Sequence, residues 1–390
     1  MDFAQDYPHG LEDGWSVLIK MRIAFDLRRI GNPGVGRYMA CLVNAITQEA
    51  PQHQYSFIMT PGTQHLLRSA SRGQVILLSA PYYSIAEQFE LPMILKEYRI
   101  DLLHALHFVV PLIKVCPTVV TLHDVIHLVY PQDLPSWMGR VYAKAMMKAA
   151  ARLADRILTV SEYSKSDIVR HLHVDPSKIT VTYSPLDERF QMVRYEAPPL
   201  RIRQRLGVTG DFLLYTSIFK ERKNHLGLLN AFAVLLAGGV RAQLVIAGDL
   251  GEGEKMVRDR AVGLGIENQV VFAGFVPEED LPSLYSAAKT YVCPSLYEGF
   301  GQTLIEAMAC GTPVVSHNGT SLPEVCGDAA LLANANHPNE FAEQIRRSFE
   351  DADVRHTLIT KGYKNAARFD ACRTARRTLQ VYCEALGERL

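Results

Sequence analysis

The chain has 390 residues, of which 48% are hydrophobic and 21% are charged, with 41 basic and 41 acidic side chains. This length predicts two or more domains with sizeable cores, and this composition excludes a disordered chain. The net charge of zero argues against a dedicated nucleic-acid-binding protein, which carries a basic excess. No apolar run reaches the roughly 20 residues that a membrane-spanning helix needs.

The first 20 residues carry four acidic side chains and no basic amino-terminal region, so they do not match a secretory signal peptide. We expect residues 1–20 to form a flexible extension, with Met21 as an alternative start directly before the first strand. The seven cysteines are scattered without a C-x-x-C pair. This spacing argues against a zinc or redox motif and indicates reduced thiols in a cytoplasmic protein.

Short apolar, β-branched runs alternate with helical patterns along the whole chain, which is typical of parallel sheets with crossover helices. In the first half, strands are predicted at 22–27, 55–59, 75–78, 102–106, 118–122, 156–160 and 179–183. In the second half, strands are predicted at 212–215, 243–247, 270–272, 291–293, 314–315 and 330–332. Helices are predicted near 36–48, 135–154, 224–237, 253–262, 278–287 and 302–309, and through most of 339–386.

The pattern changes near 191–204, where Glu196-Ala197-Pro198-Pro199 interrupts any regular element. This interruption predicts two doubly wound α/β domains joined by a linker. Ligands of such domains bind at the carboxyl ends of the strands. A cleft between the two domains is therefore the predicted site.

The longest motif, residues 293–313, is CPSLYEGFGQTLIEAMACGTP, and it combines a strand end, a turn with glycines and a helix start. Gly299 and Gly301 let the backbone approach a ligand closely, and the unpaired N–H groups of the helix start favour an anion. Glu298 lies just before the turn and Glu306 one turn into the helix, so both can reach the same ligand. Taken singly, Glu298 is equally explained as a solvated loop residue, and Glu306 as a carboxylate that favours a helix N-terminus.

Two glutamates separated by seven residues, set in Ser-x-Tyr-Glu-Gly-Phe-Gly and followed by Glu-Ala-Met-Ala-Cys-Gly-Thr-Pro-Val-Val, resemble the motif of the retaining glycosyltransferases of family four, the glycosyltransferase group 1. The resemblance runs from Met21 to about Leu386. It implies the α/β GT-B fold, in which two Rossmann-like domains face each other across a cleft. It also implies that Glu298 contacts the donor sugar and that Glu306 binds the ribose of the nucleotide. The other loop residues that it assigns to the donor are Gly299, Phe300, Gly301, Gln302 and Thr303.

The same resemblance divides the tasks between the domains. Residues 21–195 are expected to form the acceptor-side domain, and residues 196–370 the domain that binds the nucleotide sugar. Residues 371–390 are expected to form a helix that crosses back to the first domain. Family members often carry Trp where this chain has Ala371, so we expect a weaker anchor there.

The basic cluster Lys220-Glu221-Arg222-Lys223-Asn224 follows a predicted strand and starts a helix. Cations at this place can neutralise a departing diphosphate, and an arginine can do so with two parallel hydrogen bonds. The alternative is a solvated helix N-terminus, although the helix dipole disfavours cations there. By resemblance, Arg222 and Lys223 match the phosphate-binding pair of the family. Many members carry a further Arg where this chain has Ser217-Ile218, and we expect Arg222 to take over its role.

Two further loops resemble donor-binding loops of the family. Phe275 and Val276 follow a predicted strand and match the loop that contacts the base, although an ordinary loop ended by Pro277 explains them equally well on composition. The glycine loop after the first strand lacks the G-x-G-x-x-G pattern of a dehydrogenase. By resemblance, this loop brings Gly34 and Gly36 to the donor phosphates.

His123 and Asp124 end another predicted strand at the cleft. A lone histidine is usually structural, but one beside an aspartate at the carboxyl end of a strand is a candidate site residue. By resemblance, His123 lies near the reacting sugar, and Asp124 is placed with it on the acceptor side. His104 and His107 lie at similar places, and we interpret them as structural residues.

Arg140, Lys144 and Lys148 recur every four residues in a predicted helix that has no acidic residue from 136 to 154. Such a basic helix, with Trp137 among its apolar residues, is typical of contact with an anionic membrane surface or a lipid diphosphate acceptor. The alternative is a core-packing helix with a solvated basic face.

These features predict a hexosyltransferase that acts, with retention, on a hydroxyl of a growing polysaccharide or lipid-linked glycan, with GDP-mannose as the first choice of donor. A UDP-sugar-dependent transferase, a sugar epimerase of the same architecture and a catalytically degenerate scaffold subunit are the alternatives. No cofactor and no catalytic metal is expected, because the D-x-D at Asp351-Ala352-Asp353 lies between two helical patterns and is interpreted as a helix cap. The expected partners are the donor and the glycan acceptor, with peripheral membrane contact and no nucleic acid.

Overall fold

The structure is a computed structural model that describes residues 20–81, 83–134, 136–192 and 200–387. Within these residues the chain forms two parallel β-sheets. The predicted fold class, two Rossmann-like α/β domains, is therefore confirmed. All thirteen predicted strands are present, and their ends lie within two residues of the predicted ends.

The first sheet has seven strands in the order β3-β2-β1-β4-β5-β6-β7. These strands are β1 (Arg22–Asp26), β2 (Gln54–Met59), β3 (Gln74–Leu77), β4 (Leu102–Ala105), β5 (Thr118–Thr121), β6 (Arg156–Thr159) and β7 (Ile179–Val181). Strand β1 pairs with both β2 and β4, so the direction of winding reverses between β1 and β4. Doubly wound folds bind ligands at the carboxyl ends of strands beside such a reversal.

The second sheet has six strands in the order β10-β9-β8-β11-β12-β13. These strands are β8 (Phe212–Thr216), β9 (Gln243–Ala247), β10 (Val270–Gly274), β11 (Thr290–Cys293), β12 (Val314–His317) and β13 (Ala330–Ala333). The winding reverses between β8 and β11. The basic cluster, residues 220–224, follows β8. Residues 294–301, which we call the glutamate loop, follow β11, so both segments lie at the second reversal.

Helices connect most of the parallel strands. They are α1 (Val35–Glu49), α2 (Glu87–Glu97), α3 (Ile126–Val129), α4 (Trp137–Leu153), α5 (Glu162–Leu172), α6 (Arg189–Met192), α7 (Leu200–Leu206), α8 (His225–Ala237), α9 (Gly253–Gly263), α10 (Leu281–Ala287), α11 (Gln302–Ala309), α12 (Leu322–Cys326), α13 (Pro338–Glu350), α14 (Ala352–Ala366) and α15 (Ala371–Ala385). Among the described helices, none has the length and apolar character that crossing a bilayer requires.

The ends of the strands follow their pairing rather than the local apolar content. The strand predicted at 314–315 continues to His317 because His317 pairs with Ala333 of the neighbouring strand. The strand predicted at 179–183 ends at Val181, where its pairing with β6 also ends. The start of α4 follows its cap, since Ser136 Oγ accepts a hydrogen bond from the Gly139 amide at 3.0 Å and α4 starts directly after this cap.

The last helix, α15, packs against α1 of the first half. The Tyr382 hydroxyl lies 2.7 Å from Nδ1 of His104, and Arg376 pairs with Glu49 at 2.6 Å. The end of the described chain therefore contacts the first sheet, after the second sheet is complete. The predicted boundary between residues 195 and 196 and nearly all of the predicted extension 1–20 lie outside the described residues.

Candidate active site

A cavity of about 210 Å³ lies where the carboxyl ends of the two sheets meet. From the first half it is lined by Gly34, Val35, Arg37, Tyr38, His123, Asp124, Val160 and Ser184. From the second half it is lined by Tyr215, Thr216, Lys223, Cys293, Ser295, Glu298, Gly299, Phe300, Gly301, Gln302 and Thr303. Predicted residues from four separate loops are thus brought to one cavity.

Glu298 and Lys223 form an ion pair on the cavity wall. Lys223 Nζ donates a hydrogen bond to Glu298 Oε1 at 2.5 Å, and the Arg222 guanidinium lies 3.9 Å from Glu298 Oε2. Burial by itself raises the pKa of Glu298, but the charges of Lys223 and Arg222 outweigh burial and hold this pKa below its usual value. Glu298 is therefore an anion at neutral pH and does not serve as a proton donor there.

Arg222 lies beside the cavity and links the two halves. Its Nε donates to Asp133 Oδ2 of the first half at 2.7 Å. The turn that carries Arg222 and Lys223 ends at Asn224, which has φ of +54° and caps α8. The side-chain amide of Asn224 also donates to the backbone carbonyl of Pro294 at 3.3 Å, so the basic turn and the glutamate loop are held together.

The glycines of the glutamate loop permit two close approaches. A Cβ at Gly299 would lie 2.8 Å from Asp124 Cβ and 2.9 Å from the His123 carbonyl oxygen, so the two halves leave space for glycine alone. Gly301 has φ of +101°, and a Cβ there would lie 2.9 Å from Leu322 Cδ2. Contacts within the protein thus require both glycines, in addition to any approach of a ligand.

Glu306 is fully buried and lies behind the cavity wall. Tyr285 OH donates to Glu306 Oε2 at 3.0 Å, and Arg37 Nε lies 3.2 Å from Oε1 without hydrogen-bond geometry. Burial raises the pKa of Glu306, and the charge of Arg37 opposes this rise. Arg37 also donates to Glu278 at 3.2 Å. Gly34 and Arg37 both belong to the glycine-rich segment after β1. From the sequence we selected Gly34 as a donor-binding residue and did not select Arg37, although the two residues share this segment.

Gly34 and Gly36 have different surroundings. Gly34 lines the cavity with φ of +79°. A Cβ at Gly36 would lie 1.9 Å from the carbonyl oxygen of Ile30, so α1 needs glycine where it passes the preceding turn. The structure does not place Gly36 on the cavity wall, and this packing accounts for it.

His123 and Asp124 bring the end of β5 to the cavity. His123 Nε2 lies 3.2 Å from the Leu106 carbonyl and donates to it, which leaves Nδ1 as an acceptor in the neutral ring. Burial lowers the pKa of His123, although the charge of Asp124 opposes the shift. Asp124 Oδ1 accepts a hydrogen bond from the Ile126 amide at 2.9 Å.

His104 and His107 lie away from the cavity wall. His104 is buried between Tyr382 and Thr121, with nitrogen-to-oxygen distances of 2.7 and 2.8 Å. Burial lowers the pKa of His104 to about 3 and the pKa of His107 well below its usual value. Both rings are neutral at neutral pH; His104 is a buried residue of the first half, whereas His107 is half-buried.

Phe275 and Val276 are not brought to the cavity. They follow β10, which is the edge strand of the second sheet and is separated from β11 by two strands. The Phe275 side chain is 73% exposed, whereas Val276 is buried in the hydrophobic core. The structure therefore offers no cavity contact for the predicted base-binding pair.

Arg140, Lys144 and Lys148 are exposed on α4 and do not line the cavity. The opposite face of α4 packs through Met146 and Met147 into a core of the first half. The helix is thus a core-packing helix with a basic outer face, as in the alternative interpretation. The same helix also exposes Trp137, Met138 and Val141.

Asp351 caps α14, because its Oδ1 accepts hydrogen bonds at 3.0 Å from the amides of Asp353 and Val354. The interpretation of the D-x-D as a helix cap is confirmed. Within the described part of the chain, no group of three or more His, Cys, Asp or Glu side chains is arranged to hold a metal ion.

Two family models match the chain. Residues 33–190 match the model described as Glycosyltransferase Family 4, and residues 200–365 match the model described as Glycosyl transferases group 1. Among the relatives, O-antigen chain mannosyltransferase B of Escherichia coli is 31% identical over 383 residues, which cover 93% of this chain and 99% of that protein. The chain therefore belongs to the group 1 glycosyltransferases, and the cavity between its halves is the candidate active site of such an enzyme.

Solved structures agree with the GT-B fold. Sucrose-phosphate synthase from Thermosynechococcus elongatus has a TM-score of 0.77 at 20% identity and covers 94% of this chain and 100% of that one. HepE from Anabaena, in complex with UDP-glucose, has a TM-score of 0.74 at 22% identity and covers 93% of this chain and 100% of that one. At these identities the similarity concerns the fold alone.

Proposed function

We propose that this glycosyltransferase moves a mannosyl group from GDP-mannose to a hydroxyl of a growing polysaccharide or lipid-linked glycan, with retention of configuration, as a member of family four. The observation that carries this proposal is the Glu298–Lys223 pair at 2.5 Å on the wall of the cavity. It offers a carboxylate for a sugar and a cation for a diphosphate in one place. The 31% identity to a mannosyltransferase over nearly its full length supports the choice of sugar.

The diphosphate is proposed to lie between Lys223 and the start of α11. Gln302 and Thr303 line the cavity at this helix start. The first turn of α11 has no acidic residue and its N-cap, Gly301, supplies no side-chain cap. The Leu304 amide donates to the Gly301 carbonyl at 3.0 Å, which leaves the amides of Gln302 and Thr303 for an anion. Arg222 adds a second cation close to the same place, which favours charge developing on the leaving group.

The transfer is proposed to follow a front-face path. The bond between the anomeric carbon and the diphosphate oxygen breaks, and the acceptor hydroxyl bonds to the same face of that carbon. A phosphate oxygen takes the acceptor proton. Glu298, kept ionised by Lys223 and Arg222, stabilises positive charge on the sugar, and no metal is assigned a step. His123, with Nδ1 as an acceptor, is assigned to a sugar hydroxyl.

The reaction is proposed to take place in the cytoplasm, at the membrane surface that presents a lipid-linked acceptor. Helix α4 meets the start of α2, because Tyr142 OH of α4 donates to Glu87, the first residue of α2, at 2.7 Å. Trp137 of α4 is 70% exposed and Phe89 of α2 is 61% exposed. We call the surface formed by these two helices the α2–α4 face.

The α2–α4 face combines apolar and basic side chains. Its exposed apolar residues are Ile85, Phe89, Met93, Trp137, Met138 and Val141. Its exposed basic residues are Lys96, Arg140, Lys144, Lys148 and Arg152. Exposed apolar side chains on the same two helices as exposed basic residues suit the interface of an anionic bilayer, where the apolar groups insert and the cations meet lipid phosphates.

The donor is tested first by thermal unfolding with GDP, UDP, ADP and dTDP. A ligand at about 100 times its dissociation constant stabilises a protein by about 2.7 kcal/mol, which raises the melting temperature by several degrees. We expect GDP to give this shift, and Lys223→Ala to reduce it. Lys289→Ala, which removes a cation paired with Asp211 at 2.6 Å in the same half, is the control.

A shift with UDP alone would replace GDP-mannose by a UDP-sugar. No shift with any of the four nucleotides would contradict the proposed donor class and favour a scaffold subunit. Transfer is then measured with GDP-mannose and a mannose-containing acceptor, with the anomeric configuration of the product determined by NMR. An inverted product would contradict the front-face path.

A further inference from the structure

Helix α5 of the first half contacts the glutamate loop of the second half through two serines. Ser161 precedes α5 and Ser164 lies in its first turn, and both are fully buried. Both hydroxyls donate to the carbonyl oxygen of Gly299, at 2.6 and 2.9 Å. A carbonyl oxygen has two lone pairs, so it accepts both bonds at once. The carbonyl of Gly299, the residue after Glu298, is thus bound by two side chains of the opposite half.

A third side chain, that of Asp167 in α5, binds Tyr297, the residue before Glu298. Tyr297 OH donates to Asp167 Oδ2 at 2.7 Å, and both residues are buried. Asp167 follows Ser164 by three residues, so these two side chains are neighbours on the helix surface, and Ser161 precedes them as the N-cap. This face of α5 contacts the residues immediately before and after Glu298.

The neighbouring carbonyls are held differently. Ser321 of the second half places its hydroxyl 2.9 Å from the Glu298 carbonyl and 3.0 Å from the Phe300 carbonyl. Of three successive carbonyls, the outer two therefore share the single hydroxyl proton of Ser321, within the second half. The middle one, that of Gly299, depends on α5 of the first half.

Helix α5 is itself fixed against the second half. Glu324 of α12 accepts hydrogen bonds from the amides of Glu162 and Tyr163, at 2.8 and 3.1 Å. A carboxylate at the start of a helix satisfies free amides and favours the positive end of the helix dipole. The position of α5 relative to the glutamate loop is therefore set by contacts at its N-terminus.

We infer that Ser161, Ser164 and Asp167 are positioning residues, which place the Glu298 carboxylate for transfer when the two halves are together. The inference rests on the proposed function, in which Glu298 stabilises charge on the sugar. None of these three described side chains lines the cavity, so they act through the loop and not on the substrate. A misplacement of a reacting group by about 1 Å can cost on the order of 10²-fold in rate.

The test compares kcat with nucleotide affinity. Ser161→Ala/Ser164→Ala leaves the buried Gly299 carbonyl without its two donors, and we expect kcat to fall on the order of 10- to 100-fold. The dissociation constant of GDP, measured by calorimetry, is expected to stay within about twofold, since the groups proposed to hold the diphosphate belong to the second half. The control is Ser348→Ala, which removes a buried hydroxyl 3.0 Å from Thr290 Oγ1, away from the cleft.

Two further variants keep the test valid if the double variant fails to fold, since Ser161 also caps α5 by accepting from the Ser164 amide at 2.9 Å. Ser164→Ala alone spares this cap and is expected to lower kcat. Asp167→Ala is expected to lower kcat, whereas Asp167→Asn keeps an acceptor for Tyr297 and should restore most of it. A purely structural contact would instead lower stability and leave kcat of the folded enzyme unchanged, which would overturn the inference.

A double-mutant cycle separates action through Glu298 from an independent effect. In a Glu298→Ala background, removal of the two serine hydroxyls is expected to cause little further loss, because the group that they position is gone. A further loss by the same factor as in the wild type would overturn the inference. If the wild type transfers no sugar, or Glu298→Ala is fully active, the proposed function itself has failed. Normal kcat in the serine variants of an otherwise Glu298-dependent enzyme would refute the positioning role alone.

Discussion

At the scale of single residues, the site depends on the Glu298 carboxylate, which stays charged although it is largely buried. Lys223 is the nearest cation, at 2.5 Å from Glu298, and it also faces the cavity. Replacement of Lys223 by alanine is expected to lower the initial rate of transfer on the order of 10²-fold or more, the usual effect of removing one preorganised charge. Lys289→Ala is the matched control, and a near-normal rate in Lys223→Ala would exclude Lys223 from the site.

The space at Gly299 supplies a second prediction at this scale. Alanine there would put a Cβ 2.8 Å from Asp124 Cβ, so the two halves cannot keep the same arrangement at this loop. We expect Gly299→Ala to lower kcat by at least about tenfold, with GDP binding retained. Gly263→Ala is the control, because a Cβ there meets nothing within 4 Å. Full activity of Gly299→Ala would show that the contact of the two halves at this loop is dispensable.

At the scale of elements, α15 is tied to the first sheet by a histidine that stays neutral. The folded pKa of His104 is about 3, because burial disfavours its charged form. An unfolded histidine has a pKa of about 6.5, so between these two pKa values the unfolded chain binds a proton that the folded chain does not. The contribution of His104 to stability is therefore present above about pH 6.5 and is lost as the pH falls towards 3.

The measurement is the free energy of unfolding by urea between pH 4 and 6, followed by circular dichroism. His104→Gln is expected to reduce the pH dependence in this range by about 1.4 kcal/mol per pH unit. His356→Gln, which replaces an exposed histidine of α14, controls for the loss of a ring. An unchanged slope in His104→Gln would contradict the assignment of a neutral buried ring.

Elements were predictable from the sequence because their signals are local. Alternation of apolar runs with helical patterns located all thirteen strands. The glutamate loop and the basic turn were predictable for the same reason, since their glycines and charges lie within a few residues. Gly36 and Val276 show the limit, because a local pattern does not tell a glycine that faces a ligand from one that passes Ile30, or a loop valine from a core valine.

At the scale of the whole molecule, the contacts that assemble the site have no local signal. Ser161 and Gly299 are 138 residues apart, and Arg37 and Glu278 are 241 residues apart. The local sequence around each residue does not show its partner in the other half, so sequence reasoning selected Glu306 and missed Arg37, which lies opposite it. Pairing across the cleft follows only from how the two sheets face each other.

The α2–α4 face gives a prediction for the molecule as a whole. We expect it to bind vesicles that contain phosphatidylglycerol, and to bind pure phosphatidylcholine vesicles weakly, because its cations need anionic headgroups. Arg140→Glu/Lys144→Glu/Lys148→Glu is expected to abolish flotation with the anionic vesicles. Trp137→Ala/Phe89→Ala is expected to weaken it, because the exposed apolar groups no longer insert.

The control for this experiment is Lys255→Glu/Lys361→Glu/Lys364→Glu, which makes the same change of net charge with exposed cations of the second half. Equal loss of binding in the control would indicate a general charge effect instead of a docking surface. Undiminished binding of the α4 variant would contradict the role of the α2–α4 face.

The division of one loop's carbonyls between two halves has a consequence for protein engineering. Exchange of whole domains between relatives preserves each sheet and its core, and such chimeras are expected to fold. Their activity depends on two contacts between the halves. The first half must supply hydroxyls that donate to the carbonyl of Gly299, and the second half must supply a carboxylate that accepts from the first amides of α5. The compatibility of two parent proteins thus depends on a few residues at the contact between the halves. Substitution of these residues is expected to restore activity to a chimera that folds but is inactive.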